Sequence, residues 1–257
     1  MKVSLIFIGL VAASYGLMNL SFKNKPVQHV SVKDLAGKST GYAIVELFTS
    51  EGCSSCPAAD DAVASIAQTY KENVYVLGFH VDYWNRLGWK DEFSTAAFSD
   101  RQRKYATALG IEGVYTPQVV VNGQVEFVGS NIDRLNTVVK QDLNTATNQP
   151  INITAVSTGN NTIEVAYQIN ENANTLLNIA LVQLHAITNV KRGENEGRKL
   201  NHINIVRDFK TVPAKNSTGK ITLTLPAGMA AKDYKLIGYL QNSQSLQTLG
   251  VAETSLK

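Results

Sequence analysis

The sequence has very little cysteine, and both cysteines stand at one place. Of its 257 residues only Cys53 and Cys56 are cysteines, with two residues between them. A site built from four thiolates is therefore excluded, because no second Cys-x-x-Cys is present to complete the set. No cysteine stands directly after the apolar N-terminal run, which excludes processing as a lipoprotein.

The sequence also lacks long runs of charge of one sign. Charged residues make up 18% of the chain, and the formal net charge is +3. The basic residues are scattered except for two short clusters at 101–104 and 191–192, which are typical of solvated surfaces. We therefore expect no nucleic-acid partner. The hydrophobic content of 44% is typical of a globular protein, and the chain shows no internal repeat.

The N-terminal region has one charge, Lys2, before Lys23. Lys2 precedes an apolar run over residues 3–13 that small residues follow, which is the pattern of a secretory signal peptide. We predict that residues 1–22 are a signal peptide or, since about 18 apolar residues can span a bilayer, an uncleaved anchor. A cytosolic protein with an apolar N-terminus is the remaining alternative. Export predicts a periplasmic or secreted protein in an oxidising compartment, with membrane contact only if the segment is uncleaved.

What the chain does have is a dithiol where a predicted strand gives way to a helix. Cys53-Ser54-Ser55-Cys56-Pro57 follows an apolar run, and apolar residues then recur at helical spacing. A helix N-terminus favours the thiolate form, so Cys53 is predicted to be the nucleophile and Cys56, more buried, the resolving thiol. Two alternatives stay open. A structural disulfide closing so short a loop contributes only ~2 kcal/mol. Two thiolates also suit a soft ion such as Cu(I) or Zn(II).

A second signal is Thr116-Pro117, which precedes an apolar run and then Asn122-Gly123. Asn-Gly between apolar runs predicts a two-residue hairpin. Because Pro117 stands just before a run that is predicted to be a buried strand, the Thr116–Pro117 bond is predicted to be cis and to lie against the dithiol. An ordinary strand-edge proline is the alternative. Glu46, in the run before the dithiol, is predicted to be a buried proton relay, or else to face solvent at an edge.

The rest of the chain divides into two parts. Ser99–Gln102 has the capping-box pattern and predicts the start of a helix that ends at Gly110. After residues 147–150, seven short β-rich runs predict an antiparallel sandwich. These runs are 151–156, 162–169, 176–188, 202–209, 220–225, 234–240 and 246–252. The predicted fold class is therefore α/β, with an α/β domain at 40–146 followed by an all-β, sandwich-like domain at 150–257.

The order of elements in the first part resembles the thioredoxin fold. A strand, a Cys-x-x-Cys helix, a strand, a helix, Thr-Pro, a hairpin and a helix are predicted in that order. A closer resemblance, over roughly residues 43–210, is to DUF1223, a family of exported bacterial proteins of unassigned function. It is carried by five segments: 46–57, 80–84, 87–91, 114–118 and 192–198. The resemblance implies a thioredoxin-like domain and an exported location, but no substrate.

Other residues are weaker candidates. His80 lies at a predicted strand end, where a histidine is most often structural. The aromatic residues of 83–98, an insertion relative to ordinary thioredoxins, are expected in the core or a lid, with a substrate-binding wall as the alternative. Arg198, His202 and Arg207 are interpreted as strand-surface charges, with an anion site as the alternative.

Together these features predict an exported thiol–disulfide oxidoreductase. The predicted site residues are Cys53, Cys56, Thr116, Pro117 and Glu46. The expected partner is a thiol- or disulfide-bearing exported protein, and exchange requires no cofactor or metal. The alternatives are a Cu(I)-binding chaperone that uses the same cysteines and a thioredoxin-fold binding module without turnover. The two serines between the cysteines do not fix the redox potential, so the direction of exchange is not predicted.

Overall fold

The computed structural model describes residues 41–159, 161–228 and 230–256, and of Ser157 only the backbone. The predicted signal peptide or anchor at 1–22 lies outside the described residues. Among the helices within them, none is both long and apolar enough to cross a bilayer.

The first part of the chain alternates strands and helices in the predicted order. Its elements are β1 Ala43–Thr49, α1 Cys56–Thr69, β2 Val74–His80, α2 Ala96–Leu109, β3 Gln118–Val121, β4 Val125–Val128 and α3 Ile132–Thr145. A short 3-10 turn at Asn85–Leu87 lies in the aromatic segment between β2 and α2. The α/β assignment of this part is confirmed.

The start of α2 differs from the capping-box prediction. Thr95 is extended and its side chain accepts a hydrogen bond from the Ala97 backbone N–H, so the helix begins at Ala96. Ser99 lies inside the helix, and its hydroxyl donates instead to Asp82 at 2.5 Å. The predicted end is correct, because Gly110 terminates the helix with a φ of 67°.

The β3–β4 hairpin has the predicted turn. Asn122 and Gly123 have φ values of 46° and 69°, the left-handed conformations that a two-residue turn of this kind requires. The Asn122 side chain also accepts a hydrogen bond from the Ile44 backbone N–H at 2.8 Å and donates to the Tyr42 carbonyl at 3.1 Å. The turn is therefore tied to the start of β1.

The second part contains all seven of the predicted strands. They are β5 Ile151–Gly159, β6 Thr162–Ile169, β7 Thr175–Asn189, β8 Lys199–Pro213, β9 Thr218–Thr224, β10 Tyr234–Asn242 and β11 Thr248–Ser255. A 3-10 turn at Ala231–Asp233 precedes β10.

One sheet runs through both parts of the chain. Its eight strands lie in the order β11-β10-β7-β8-β2-β1-β3-β4, and a separate three-stranded sheet has the order β5-β6-β9. The junction is a parallel pairing of β2 with β8, in which Gly78 is opposite Ile205. The large sheet therefore contains strands from both sides of the predicted boundary at 147–150. The division of the chain into two domains stays a prediction.

The large sheet is covered on both faces. Alternate residues of β1 pack on opposite faces of the sheet, because successive side chains of a strand point in opposite directions. Val45 and Leu47 join a core with α1 and α3, whereas Ile44 and Phe48 join a core with α2 that continues onto β7, β8 and β10. A third core lies between the small sheet and β7 and β10, and these two layers form the sandwich-like part.

Candidate functional site

The two cysteines form a disulfide at the carboxyl end of β1. The Cys53–Cys56 Cα atoms are 5.4 Å apart, and α1 begins at Cys56 with Pro57 in its first turn. Cys56 is therefore the first residue of the helix, not a residue one turn inside it. Both cysteines are buried, with 1% of Cys53 and 0% of Cys56 exposed. The two cysteines are thus buried alike in the oxidised protein, and the greater reactivity of Cys53 after reduction stays a prediction.

The Thr116–Pro117 peptide bond is cis, as predicted. The Thr116 hydroxyl accepts a hydrogen bond from the Trp84 indole N–H at 2.8 Å. Trp84 also packs against the turn before the dithiol, where a Cβ added to Gly52 would lie 3.1 Å from the Trp84 Cβ. Trp84 therefore bridges the Thr116 loop and the dithiol turn.

A loop from the second part of the chain covers the dithiol. This capping loop, residues 190–198, connects β7 to β8 and is closed by backbone hydrogen bonds between Val190 and both Gly197 and Arg198. The buried Asn195 side chain donates to the carbonyls of Glu51 and Cys53 at 2.8 and 2.9 Å. The main chain on both sides of the first cysteine is thus held by one asparagine from the other half of the protein.

Glu194 holds the Cys-Ser-Ser-Cys turn from outside. Its carboxylate accepts hydrogen bonds from the Ser54 backbone N–H at 3.1 Å and from the Ser54 hydroxyl at 2.7 Å. These two hydrogen bonds hold the pKa of the Glu194 carboxyl below its usual range. The contact is solvent-exposed, so it can open without moving the core.

Beneath the dithiol lies a cluster of buried acidic groups and histidines. Glu51, two residues before Cys53, is fully buried, and His202 of β8 is 2% exposed. Glu51 Oε1 lies 3.3 Å from His202 Nε2, although the geometry is not that of a hydrogen bond. The other Glu51 carboxylate oxygen accepts from the Trp89 indole N–H at 2.7 Å. The Glu51 side chain is thereby fixed from the aromatic segment and faces His202.

His80 and Asp91 form a second buried pair in this cluster. His80 Nδ1 lies 2.7 Å from Asp91 Oδ2, which also accepts from the Glu51 backbone N–H. Burial opposes ionisation of Asp91, but the His80 charge and these hydrogen bonds outweigh it and lower the pKa of the carboxyl. The His80 and His202 rings meet edge to face at 5.0 Å, and Phe93 packs against both.

Asp60 completes the cluster from α1. Its carboxylate accepts from the Thr49 hydroxyl at 3.4 Å and lies 4.0 Å from His202 Nδ1. Burial raises the pKa of Asp60 to about 7, despite an opposing effect of the His202 charge. A carboxyl that titrates near neutral pH can donate or accept a proton under physiological conditions.

Glu46 lies elsewhere, in a buried ion pair. Its carboxylate accepts from Arg101 Nε at 2.6 Å and Nη2 at 2.7 Å, and from the Tyr105 and Tyr239 hydroxyls at 2.6 and 3.2 Å. Glu46 therefore does not face solvent, and that alternative is wrong. A carboxylate fixed in a two-point pair with a permanent cation is poorly suited to exchange protons. The role of Glu46 as a proton relay stays a prediction, and the two-point ion pair with Arg101 does not favour it.

The three basic residues interpreted as strand-surface charges, with an anion site as the alternative, have separate partners. Arg198 donates to Asn195 Oδ1 at 2.8 Å within the capping loop. Arg207 donates to Gln183 at 2.8 Å and lies over the Phe93 ring. His202 is buried, so its interpretation as a strand-surface charge is wrong. Of the aromatic residues in the insertion, Phe98 lies in the core, whereas Trp84 and Trp89 hydrogen-bond at the site.

The sequence did not point to Glu51, Asp60, Asp91, Asn195 or His202 as a joint group. Local signals existed for only some of them, since Glu51 stands two residues before Cys53 and Asp60 one helical turn after Cys56. Among the described residues no three His, Cys, Asp or Glu side chains are arranged to hold a metal ion.

Two solved structures show the range of similarity. The chain is similar to a crystal structure of a protein from Agrobacterium tumefaciens, with 28% identity and a TM-score of 0.62 over 85% of this chain and 96% of that one. A domain of the outer membrane lipoprotein Omp28 from Porphyromonas gingivalis matches at 16% identity over 42% of this chain and 94% of that domain. Its TM-score of 0.25 does not establish a common fold. No curated protein matches the chain.

The family comparison covers the whole site. The model of DUF1223, described as a protein of unknown function, matches residues 44–241. This range includes the dithiol, the Thr116–Pro117 loop, the capping loop and His202. Since the match extends over well more than half of the sequence, the chain belongs to the DUF1223 family.

Proposed function

We propose that this protein is an exported thiol–disulfide oxidoreductase. The observation that carries the proposal is the Cys53–Cys56 disulfide, closed between the carboxyl end of β1 and the first residue of α1. A dithiol at a helix start is the arrangement in which a thiolate is stabilised. The secretory pattern of residues 1–22 supports export into a compartment where such a disulfide persists.

The proposed reaction is a two-step exchange. A substrate thiolate attacks Cys53 Sγ, the Cys53–Cys56 bond breaks, and Cys56 leaves as a thiolate that takes up a proton. A second substrate thiolate then attacks the substrate sulfur of the mixed disulfide and releases Cys53. The substrate dithiol gives up two electrons and becomes a disulfide, while the protein disulfide becomes a dithiol. In the reverse direction Cys53 attacks a substrate disulfide and Cys56 resolves the intermediate.

Access to Cys53 requires the capping loop to move. Cys53 is 1% exposed, and a thiolate must reach its sulfur directly. The exposed Glu194–Ser54 contact is the part of the cover that a partner can displace without unfolding the core. The proposed partner is therefore a thiol- or disulfide-bearing exported protein whose own chain takes the place of the loop beside the dithiol.

The test is the capture of partners by Cys56→Ser. This variant keeps the attacking thiol and lacks the resolving one, so mixed disulfides with exported proteins should accumulate and be identified by mass spectrometry after non-reducing separation. Cys53→Ser is the matched control and should capture none. If neither variant captures a partner and the wild-type protein shows no turnover of a disulfide peptide, the oxidoreductase proposal is wrong. Cu(I) bound by the reduced protein in that case would favour the chaperone alternative.

A further inference from the structure

His202 is a buried histidine that lies 3.3 Å from Glu51, which stands two residues before Cys53. Within residues 41–159, 161–228 and 230–256, neither ring nitrogen of His202 has a hydrogen-bond partner, and the same holds for the Glu51 Oε1 atom that faces it. Buried polar atoms are satisfied in most proteins, because leaving them unpaired is destabilising. An unpaired histidine and an unpaired carboxylate oxygen 3.3 Å apart therefore mark a place where a proton can be exchanged.

The second acidic side chain near His202 is Asp60, which lies one helical turn after Cys56 on α1. Asp60 follows Cys56 by four residues on α1, which puts both on one helix face. Helical side chains lean toward the N-terminus of the helix, so the Asp60 carboxyl is directed to the turn that carries Cys56. His202 of β8 lies near the same carboxyl, with 4.0 Å between Nδ1 and Oδ2, which is too long for a hydrogen bond.

The charges that face Asp60 come from each element around it. His202 lowers its pKa, whereas Asp91 and the neighbouring Asp61 raise it, and the Thr49 hydroxyl donates to it. Burial is the largest effect and places the pKa at about 7.

Around His202 the facing groups are Glu51, His80 and Asp60. Phe93 packs against both histidine rings, and the Arg207 guanidinium lies over the Phe93 ring.

We infer that Asp60 exchanges a proton with Cys56 as the disulfide opens and closes, and that His202 and Glu51 are its positioning residues. The β-rich part of the chain would thereby supply a residue to the redox site. This inference rests on the proposed exchange function and adds to it the group that handles the proton.

In each direction of the exchange, the proton moves between Asp60 and Cys56. When a dithiol reduces the protein, Cys56 leaves as a thiolate and takes the proton of the Asp60 carboxyl. The Asp60 carboxylate, which lies near His202, then regains a proton that the reductant thiol has released to water. In the oxidative direction Asp60 accepts the Cys56 proton, and the Cys56 thiolate attacks the mixed disulfide at Cys53. The dithiol supplies both electrons and ends as a disulfide.

The test is the pH dependence of the equilibrium with dithiothreitol. The full chain is equilibrated from about pH 5 to about pH 8, and the reduced fraction is read by mass after alkylation. Asp60 of the oxidised protein loses its proton near pH 7, and the inference requires the reduced protein to keep that proton, shared with the Cys56 thiol, to higher pH. Reduction then takes up one more proton above about pH 7. The equilibrium constant for reduction should therefore fall by an additional factor of about ten per pH unit above that pH, compared with its dependence below it.

Three variants test whether Asp60 causes the inflection in the pH dependence of the equilibrium. Asp60→Asn should abolish it, and Asp61→Asn, the exposed neighbour on the same helix, should keep it. His202→Gln should move it to higher pH, because the His202 charge lowers the pKa of Asp60. If Asp60 and His202 had a purely structural role, these substitutions would change the stability of the protein but not the pH dependence of its reduction. An inflection unchanged in both Asp60→Asn and His202→Gln would overturn the inference.

The inference and the proposed function fail in different ways. Partner capture by Cys56→Ser together with a wild-type curve that has no inflection overturns the inference alone. An inflection without any partner capture or peptide turnover overturns the proposed function and leaves the proton coupling. If Asp60→Asn does not fold, a measurement on the wild-type protein alone tests the role of Asp60. Its infrared difference spectrum between the two redox states should show a protonated carboxyl band that changes, and a spectrum without that band would contradict the role of Asp60.

Discussion

The buried pair of Glu46 and Arg101 supports a sharp prediction about stability. The Arg101 guanidinium makes two hydrogen bonds to the Glu46 carboxylate at 2.6 and 2.7 Å and two more to the Tyr105 and Tyr239 hydroxyls at 2.9 and 2.6 Å. Glu46 is 1% exposed, and Arg101 9%. The Arg101→Met change keeps most of the side-chain volume but leaves the carboxylate without its cation.

The expected loss is about 3–5 kcal/mol of unfolding free energy, the range for removing one partner of a buried ion pair. The double variant Glu46→Gln/Arg101→Met leaves no uncompensated charge, so it should recover at least about 2 kcal/mol of that loss. The difference arises because desolvation of a lone carboxylate is unfavourable, whereas a buried neutral amide can be hydrogen-bonded by the two tyrosines.

The assay is urea unfolding of the oxidised protein at neutral pH. Arg103→Met is the matched control on the same helix, since Arg103 pairs with Asp100 at 2.5 Å on the surface, with 54% and 62% of the two side chains exposed. We expect that variant to lose less than about 1 kcal/mol. A loss below about 1 kcal/mol for Arg101→Met, or a double variant no more stable than Arg101→Met, would refute the reasoning.

Three further predictions concern the site and the hairpin. Glu194→Ala should speed alkylation of reduced Cys53 about fivefold, because two hydrogen bonds of the capping loop are lost, whereas the exposed Glu196→Ala should not. Asn122→Ala should lower the unfolding free energy by about 2–3 kcal/mol, since its side chain makes three hydrogen bonds, and urea unfolding measures this. The folded-state pKa of Asp60 is raised from 3.8 to about 7, so its contribution to stability is fully present below pH 3.8 and lost as pH rises through 7. Asp60→Asn should therefore gain up to about 4 kcal/mol over wild type above pH 7, and an unchanged difference across pH would contradict this.

Signals that depend on a few adjacent residues predicted the structure well. Asn122-Gly123 alone requires left-handed backbone at two positions, and the hairpin has it. The seven strands of the second part follow from alternation and turn residues within each run. The capping-box pattern at Ser99 failed because a competing cap, Thr95, lies one turn upstream, and Asp82 takes the serine hydroxyl instead.

The assembly of the site depends on which strands pair with each other in the sheet. The periodicity of apolar residues in the sequence does not indicate these pairings. A run of alternating residues shows that β8 is a strand, but not that it pairs with β2 at Gly78. That pairing carries His202 to the carboxyl end of β1, against Glu51 and next to Asp60. The position of His202 on the surface or in the site was therefore undecidable from its own neighbours in the sequence.

The β2–β8 junction has a consequence for how this protein can be handled and how it can evolve. A chain cut at residues 147–150 would leave β2 as an edge strand, with the backbone groups next to the buried residues Val76 and Phe79 facing solvent. Unprotected apolar edge strands recruit other chains and drive aggregation. We therefore expect that neither half can be transferred alone into another protein without such an edge, and fragments for crystallisation or NMR should keep both halves.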